Sequence, residues 1–262
     1  ASYDPKNYLG LGEADVVPTK LIDTSLMETA SDDWYAEMGS EGLAAMAVGR
    51  LPVRSSTEAA ALVAKIIAYD SAAPSDALLL VADSSDDFDF AGAANQLRDF
   101  IPPNIRAEEI RRGQTDDVAS RERLLAAINE GRKVVNYMGH GNIDQLHGFL
   151  LTDADARALT NQERLTFFVA MTCLNGYFQE PALDSLAEAM VKAPHGGAVA
   201  AWASSGMSGP AEQAVVNQAL YRYLFSSGAT LGDATLKAKA ATSSSDVRRT
   251  WILLGDPTTR LR

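Results

Sequence analysis

Four apolar runs set the first limit on what this chain can fold into: Ala77–Ala82 (ALLLVA), Lys133–Met138 (KVVNYM), Leu165–Thr172 (LTFFVAMT) and Gly197–Ala203 (GAVAAWA). Each has the length of a strand and is apolar at nearly every position rather than at alternate ones. A strand of that kind needs cover on both faces. Segments of helical period lie around them. Ser55 and Ser56, with Glu58, cap a helix running to about Tyr69. Phe90–Phe100 stops at Pro102-Pro103, and Asp117–Glu130 ends at Gly131. Further helices are expected over Ser185–Lys192, Ala211–Phe225 and Leu231–Ala241, with a last short strand at Trp251–Leu254. Buried strands alternating with amphipathic helices predict an α/β fold in three layers, a mainly parallel sheet between helices. Residues 1–42 are polar and weakly patterned, and are expected as an irregular N-terminal segment of the same domain that residues 43–262 build.

Composition narrows the function classes. Hydrophobic residues are 47% of 262, enough for one large core. A net charge of −11, with no basic patch, argues against a nucleic-acid partner. No stretch of about 18 apolar residues exists, so no membrane span is expected. Cys173 is the single cysteine, which excludes an internal disulfide and a cysteine-based zinc site. The opening ASYDPKNYLG is too polar for a signal peptide, and GLGEAD neither follows a strand nor opens a helix as a dinucleotide fingerprint must.

In open α/β sheets the loops at the carboxyl ends of the strands carry the chemistry. Two such loops are loaded: Gly139-His140-Gly141 after VVNYM, and Cys173-Leu174-Asn175-Gly176 after FFVAMT. If the two strands are neighbours, about 4.8 Å apart, His140 and Cys173 meet across a crevice. A thiol attacks a carbonyl as the thiolate, and an imidazole takes or balances its proton. The flanking glycines allow close substrate approach, and the amides of Gly141 and Cys173 are candidate oxyanion donors. The plain alternative is a packed core thiol and an ordinary loop histidine.

NYMGHGNID, AMTCLNGYF, SLAEAMVKAPHGGAVAAWASSG and ILLGDPTTRLR, in that order, resemble the signatures of the gingipain-like cysteine peptidases, peptidase family C25. The upstream TASDDWYAEMG and AVGRLPVRSSTEAAALVAKIIAYD resemble the same catalytic domain, so the likeness runs from about Thr29 to Arg262. The resemblance implies a caspase-like αβα sandwich and a cysteine endopeptidase. It makes Cys173 the nucleophile, His140 the imidazole, and Gly141 with Cys173 the oxyanion amides. Asp83, directly after ALLLVA, matches the acid that orients the histidine; a solvated loop acid is the alternative.

The arginine-selective members resemble this chain further. Their S1 aspartate matches Asp89, which would select Arg or Lys at P1 through a charge-assisted pair. An Asp just before a helix also reads as an N-cap, and Asp86 and Asp87 compete for the pocket role. Ser204, Ser205, Gly206 and Ser208 match the segment that walls that pocket, where an extended substrate can add main-chain hydrogen bonds. The family's aromatic lid is missing, with Gly209-Pro210 in its place. Trp202 reads as core, His147 as an exposed loop residue at the cleft border, and His195 as a turn residue without a partner.

Catalysis by this dyad needs no cofactor. The acidic runs Asp32-Asp33 and Asp83–Asp89 could supply oxygen ligands to a structural calcium of the kind found among gingipains, but with no EF-hand loop they read better as solvated loops. A protein or peptide is the expected substrate. The resemblance also implies a secreted or cell-surface bacterial protein, with a pro-segment or a C-terminal module outside these residues. The alternative function is a catalytically inactive caspase-like domain used in binding or assembly. A cysteine phosphatase is discounted because Gln179 stands where its arginine belongs.

Overall fold

The computed structural model describes residues 10, 17–39 and 41–262. The polar opening and GLGEAD therefore fall almost wholly outside the described residues, whereas most of the remaining N-terminal segment is described. A small antiparallel hairpin comes first, β1 (Leu21–Asp23) with β2 (Glu28–Ala30). It is tied to the main body where the hydroxyl of Thr29 donates to Ser205 O.

The apolar runs form the main sheet: β3 (Ala77–Ala82), β5 (Val134–Met138), β6 (Thr166–Met171) and β7 (Ala198–Ser204). Every residue in these four strands is buried, as expected for strands covered on both faces. The edges are β4 (Arg106–Arg111) and β8 (Trp251–Leu254). The spatial order is β4-β3-β5-β6-β7-β8, parallel except for the β7–β8 pair. Strand order reverses at β3, so the chain leaves β3 toward one edge and returns on its other side. The loops after β3 and β5 diverge there and open a crevice.

Helices cover both faces. One group is α1 (Ser56–Tyr69), α4 (Asp153–Arg157) and α5 (Leu186–Lys192), with α5 in contact with both of the others. The other is α2 (Phe90–Gln96), α6 (Pro210–Leu224) and α7 (Leu231–Ala240). In addition, α3 (Asp117–Glu130) packs beside β4, and α8 (Ser245–Thr250) leads into β8. Local chemistry sets the starts: Ser55 Oγ accepts from Glu58 N (3.2 Å), and Asp116 Oδ1 from Ala119 N (2.8 Å). Gly131 ends α3 at φ 87°.

One polar pair and one aromatic pair sit in the core. Asn136 of β5 and Asn217 of α6 exchange amide hydrogen bonds of 2.8 and 3.1 Å, so each buried amide has a partner. Trp202 is fully buried with its ring edge against Trp251, in agreement with its reading as core.

Three elements differ from expectation. β4 carries RAEEIR and is only half buried, because an edge strand pairs on one side and needs no apolar run. The helix predicted over 90–100 tightens into a 3-10 turn at Leu97–Phe100. α4 and α8, of five and six residues, are too short to show a period.

Candidate active site

Three neighbouring strands end in line. Ala82 pairs with Met138, and Met138 with Met171. Asp83 follows β3 by one residue, while His140 and Cys173 follow β5 and β6 by two each. The ladder continues past the strand ends, with Asp83 N donating to Met138 O (2.8 Å) and Gly139 N to Met171 O (3.2 Å).

The His140 loop doubles back as a short ribbon: His147 N donates to His140 O (3.0 Å) and Asn142 N to Gln145 O (2.9 Å). It lies against the Cys173 loop so closely that a Cβ on Gly141 would sit 2.5 Å from Thr172 Oγ1 and 3.1 Å from Asn175 Oδ1. Asn175, fully buried, braces the two loops: its amide nitrogen donates to Asn142 O and to Gln145 O (3.2 Å). Cys173 precedes a tight turn in which Asn175 N donates to Cys173 O (2.8 Å) and Leu174 takes φ 63°. A leucine in the left-handed region is strained, at a cost of about 1–2 kcal/mol, and the turn carries Cys173 out of the sheet at a partly exposed position.

The Cys173 thiol donates to Ser208 O (3.6 Å), and the Gln213 amide, bonded to Ser208 O (3.1 Å), lies 4.0 Å from Sγ. The His140 ring is exposed and stands edge-on to Phe90, with Nε2 3.2 Å from Asp87 Oδ1. Among the described residues, no direct hydrogen bond joins the ring to Sγ. Their loops meet, but the reactive atoms have other partners.

Asp83 is inaccessible, and both its oxygens are committed. Oδ2 accepts from His140 N (3.1 Å) and His147 Nδ1 (2.8 Å), while Oδ1 accepts from Ser84 N (2.8 Å) and Arg112 Nη1 (3.0 Å). Burial raises the Asp83 pKa, but these donors outweigh it and hold the carboxyl below its ordinary value. Asp83 thus grips the histidine loop through the main chain, and the ring's carboxylate contact is Asp87. The Ser85 hydroxyl, then His140, holds Asp87 low. The Tyr137 hydroxyl completes the support by donating to His140 O (2.7 Å).

A family model described as peptidase family C25 matches residues 1–262. The chain belongs to peptidase family C25. No curated protein sequence matches it. Among solved structures, it is similar to the Arg-specific cysteine proteinase gingipain R (RgpB), with TM-score 0.80 and 20% identity over 94% of this chain. It is also similar to RgpB of Porphyromonas gingivalis in complex with its pro-domain (TM-score 0.77, 18% identity, 92% of this chain). A structure titled only as a protease follows, with TM-score 0.76 and 15% identity over 92% of the chain. At these identities the likeness concerns the fold, which is the caspase-like α/β sandwich. The chain spans about 62% of the length of the first two and 61% of the third.

The residues matched to the S1 pocket of this C25 chain have the following surroundings. Asp89 is exposed and is the N-cap of α2, with Oδ1 accepting from Gly92 N (2.8 Å). Ser204 and Ser205 are fully buried: Ser204 Oγ donates to Gly206 O (3.1 Å), and Ser205 Oγ to Ala30 O (2.6 Å). Both hydroxyls are thus held inside the fold, by the hairpin and by Thr250. Gly206 is likewise packed between Thr250 and Thr29, with its carbonyl taken by Leu174 N (3.1 Å). Ser208 does border Cys173, through its carbonyl.

Asp32 and Asp33, read as a solvated loop or as calcium ligands, are instead buried with cations of their own: Arg50 donates to Asp32 (2.9 Å), and Lys239 to Asp33 (2.8 Å). Among the described residues no cluster of three His, Cys, Asp or Glu is arranged to hold a metal. Arg112, Asn175 and Gln213 were not legible as site residues. His147 was, but only as a border residue, and His195 is exposed in its turn.

Proposed function

We propose that this chain is a cysteine endopeptidase in which Cys173 attacks the scissile carbonyl with help from His140. The observation that carries the proposal is the shared register, which sets both loops two residues beyond paired strand ends and packs Gly141 onto Thr172 and Asn175. Membership of family C25 supports the reaction class. The imidazole takes the Sγ proton as sulfur bonds to the carbonyl carbon. It then returns that proton to the leaving amine as the C–N bond breaks, leaving a thioester that water hydrolyses. A rotation of the thiol away from Ser208 O and release of His140 from Asp87 bring the pair together; long separations in free enzymes are common.

The oxyanion donors are the amides of Gly141 and Cys173, which among the described residues donate to no other acceptor. Asp83 positions His140 through its backbone. The cleft beside His140, about 680 Å³, is lined by Asp83, Asp86, Asp87 and Asp89. Arg112 pairs with Asp83 and Arg111 with Glu109, while Asp86 and Asp89 form no ion pair among the described residues. This balance suits a basic P1 side chain, with Asp89 Oδ2 left over from the cap. The protein substrate, an extracellular bacterial setting and a silencing pro-segment are inferred by likeness to RgpB, which has been seen with its pro-domain.

The test is hydrolysis of peptides varied at P1, under reducing conditions, by wild type and Cys173→Ala. Cleavage after Arg or Lys that vanishes in the variant supports the proposal; no cleavage of basic, acidic or apolar P1 overturns it. The other partners of Sγ and Nε2 favour one alternative, a binding domain without catalysis. A thiol that alkylates only after denaturation would favour that alternative.

A further inference from the structure

A cavity of about 700 Å³ opens at the far edge of the sheet from Cys173. Its floor includes Leu165, just before β6, and Gly196, just before β7, so a six-residue strand of ~20 Å separates it from the catalytic loops. One wall is α1, and the other is the turn after α5. Nothing in the proposed peptidase chemistry uses it, and its size is that of an ordinary small-molecule site.

The lining has a definite chemical character. Leu62, Val53, Leu165, Val191 and Pro194 supply aliphatic surface, continued by the alanines of α1. Among the described residues no aromatic side chain faces the cavity, so none of them offers a stacking surface for a ring. Into this surface projects Lys65, whose Nζ donates to Val191 O (2.9 Å) and Ala193 O (3.1 Å) at the C-terminal end of α5. An ammonium carries three protons, so one N–H is left over. Among the described residues Lys65 forms no ion pair. The other charged groups at the cavity are Glu58, Glu163, Arg164 and Lys192. Lys192 is held by Asp184 (2.9 Å) and Glu188 (3.5 Å), and Glu58 accepts from Arg54 N (2.7 Å). Burial alone pulls Lys65 down to about 7, the behaviour of a cation without a counter-charge.

We infer that this cavity is a binding site for an aliphatic monocarboxylate, with its carboxylate on Lys65 Nζ and its chain along the alanine face of α1. A carboxylate supplies the missing counter-charge through a charge-assisted bond, and the aliphatic walls receive the chain. Neither Lys65 nor Arg164 forms an ion pair among the described residues, but Glu58 and Glu163 stand at the same cavity, and this balance of charge disfavours a dianion such as a phosphate ester. The ligand also favours the charged amine, so binding is strongest where Lys65 is protonated and weakens as pH rises above about 7.

The experiment titrates the whole chain with decanoate and with decanol by calorimetry, and follows the methyl resonances of Leu62 and Val191. One saturable decanoate site is expected, with decanol at least about tenfold weaker and decanoate affinity falling between about pH 6 and pH 9. Lys65→Met should remove both the preference and the pH dependence. Ala68→Trp, which fills the cavity and keeps the lysine, should abolish binding of both ligands. Absence of saturable decanoate binding below its micellar concentration, equal affinity for the alcohol, or an unchanged pH profile in Lys65→Met would each overturn the proposal.

Discussion

Replacing Asn175 with alanine probes the junction of the two loops proposed for catalysis without touching the side chain of His140 or Cys173. The native amide donates two hydrogen bonds, to Asn142 O and Gln145 O, from a fully buried position. Each such bond contributes about 0.5–1.5 kcal/mol net, so the variant should lose roughly 1–3 kcal/mol. A domain with about 5–15 kcal/mol of stability survives that loss and stays folded. The His140 ribbon then loses its clamp to the Cys173 turn. A displacement of about 1 Å at a reacting group lowers rate by roughly a hundredfold. Urea unfolding measures the first quantity, and kcat/KM on a cleaved peptide measures the second. Asn175→Asp should be worse than alanine, because a buried carboxylate faces two carbonyl oxygens and has no proton to donate. If Asn175→Ala unfolds at a urea concentration lowered as expected yet keeps kcat/KM within about twofold of wild type, the amide is only a stability element and the bracing argument fails.

Gly141→Ala should lower kcat/KM at least about tenfold, since its methyl would lie 2.5 Å from Thr172 Oγ1 and force the loops apart; a fully active variant refutes the close packing. Asp89→Ala should lose about 1 kcal/mol as a lost N-cap, which Asp89→Ser restores in a thermal melt. Any Arg preference that Asp89→Ser does not restore measures the separate pocket role. Because Asp83 is held below its ordinary value, its contribution is present above the unfolded pKa near 3.8 and is lost as pH falls through the lower folded value. Asp83→Asn should therefore flatten the acid limb of stability below about pH 5, as measured by urea titrations at stepped pH. Lys239→Met leaves Asp33 buried and unpaired, and should lose about 3–5 kcal/mol. Pairing it with Asp33→Leu should recover much of that loss.

Much of the framework was legible because its causes are local. ALLLVA, LTFFVAMT and GAVAAWA are apolar throughout, which only a doubly covered strand tolerates, and they became β3, β6 and β7. Ser55 and Gly131 act on amides and dihedrals within a turn of themselves, so the ends of α1 and α3 followed from composition. GHG and TCLNG, standing just after two such runs, marked the carboxyl edge that carries the catalytic proposal. RAEEIR escaped notice because an edge strand shows no burial pattern along the chain; its place depends on β3 lying beside it.

The partners of polar groups belong to tertiary structure. Asp83 lies one residue past β3, yet whether it meets a ring, an amide or an arginine depends on loops 29 to 64 residues away. Ser204 and Ser205 resemble a pocket wall in sequence, but a hairpin some 175 residues earlier takes the Ser205 hydroxyl. Asn175 gives no sign of being a brace until Met138 and Met171 come into register. Periodicity and capping are short-range energies and can be read from neighbours in the chain. Hydrogen bonds between distant loops exist only once the sheet has brought their strand ends together.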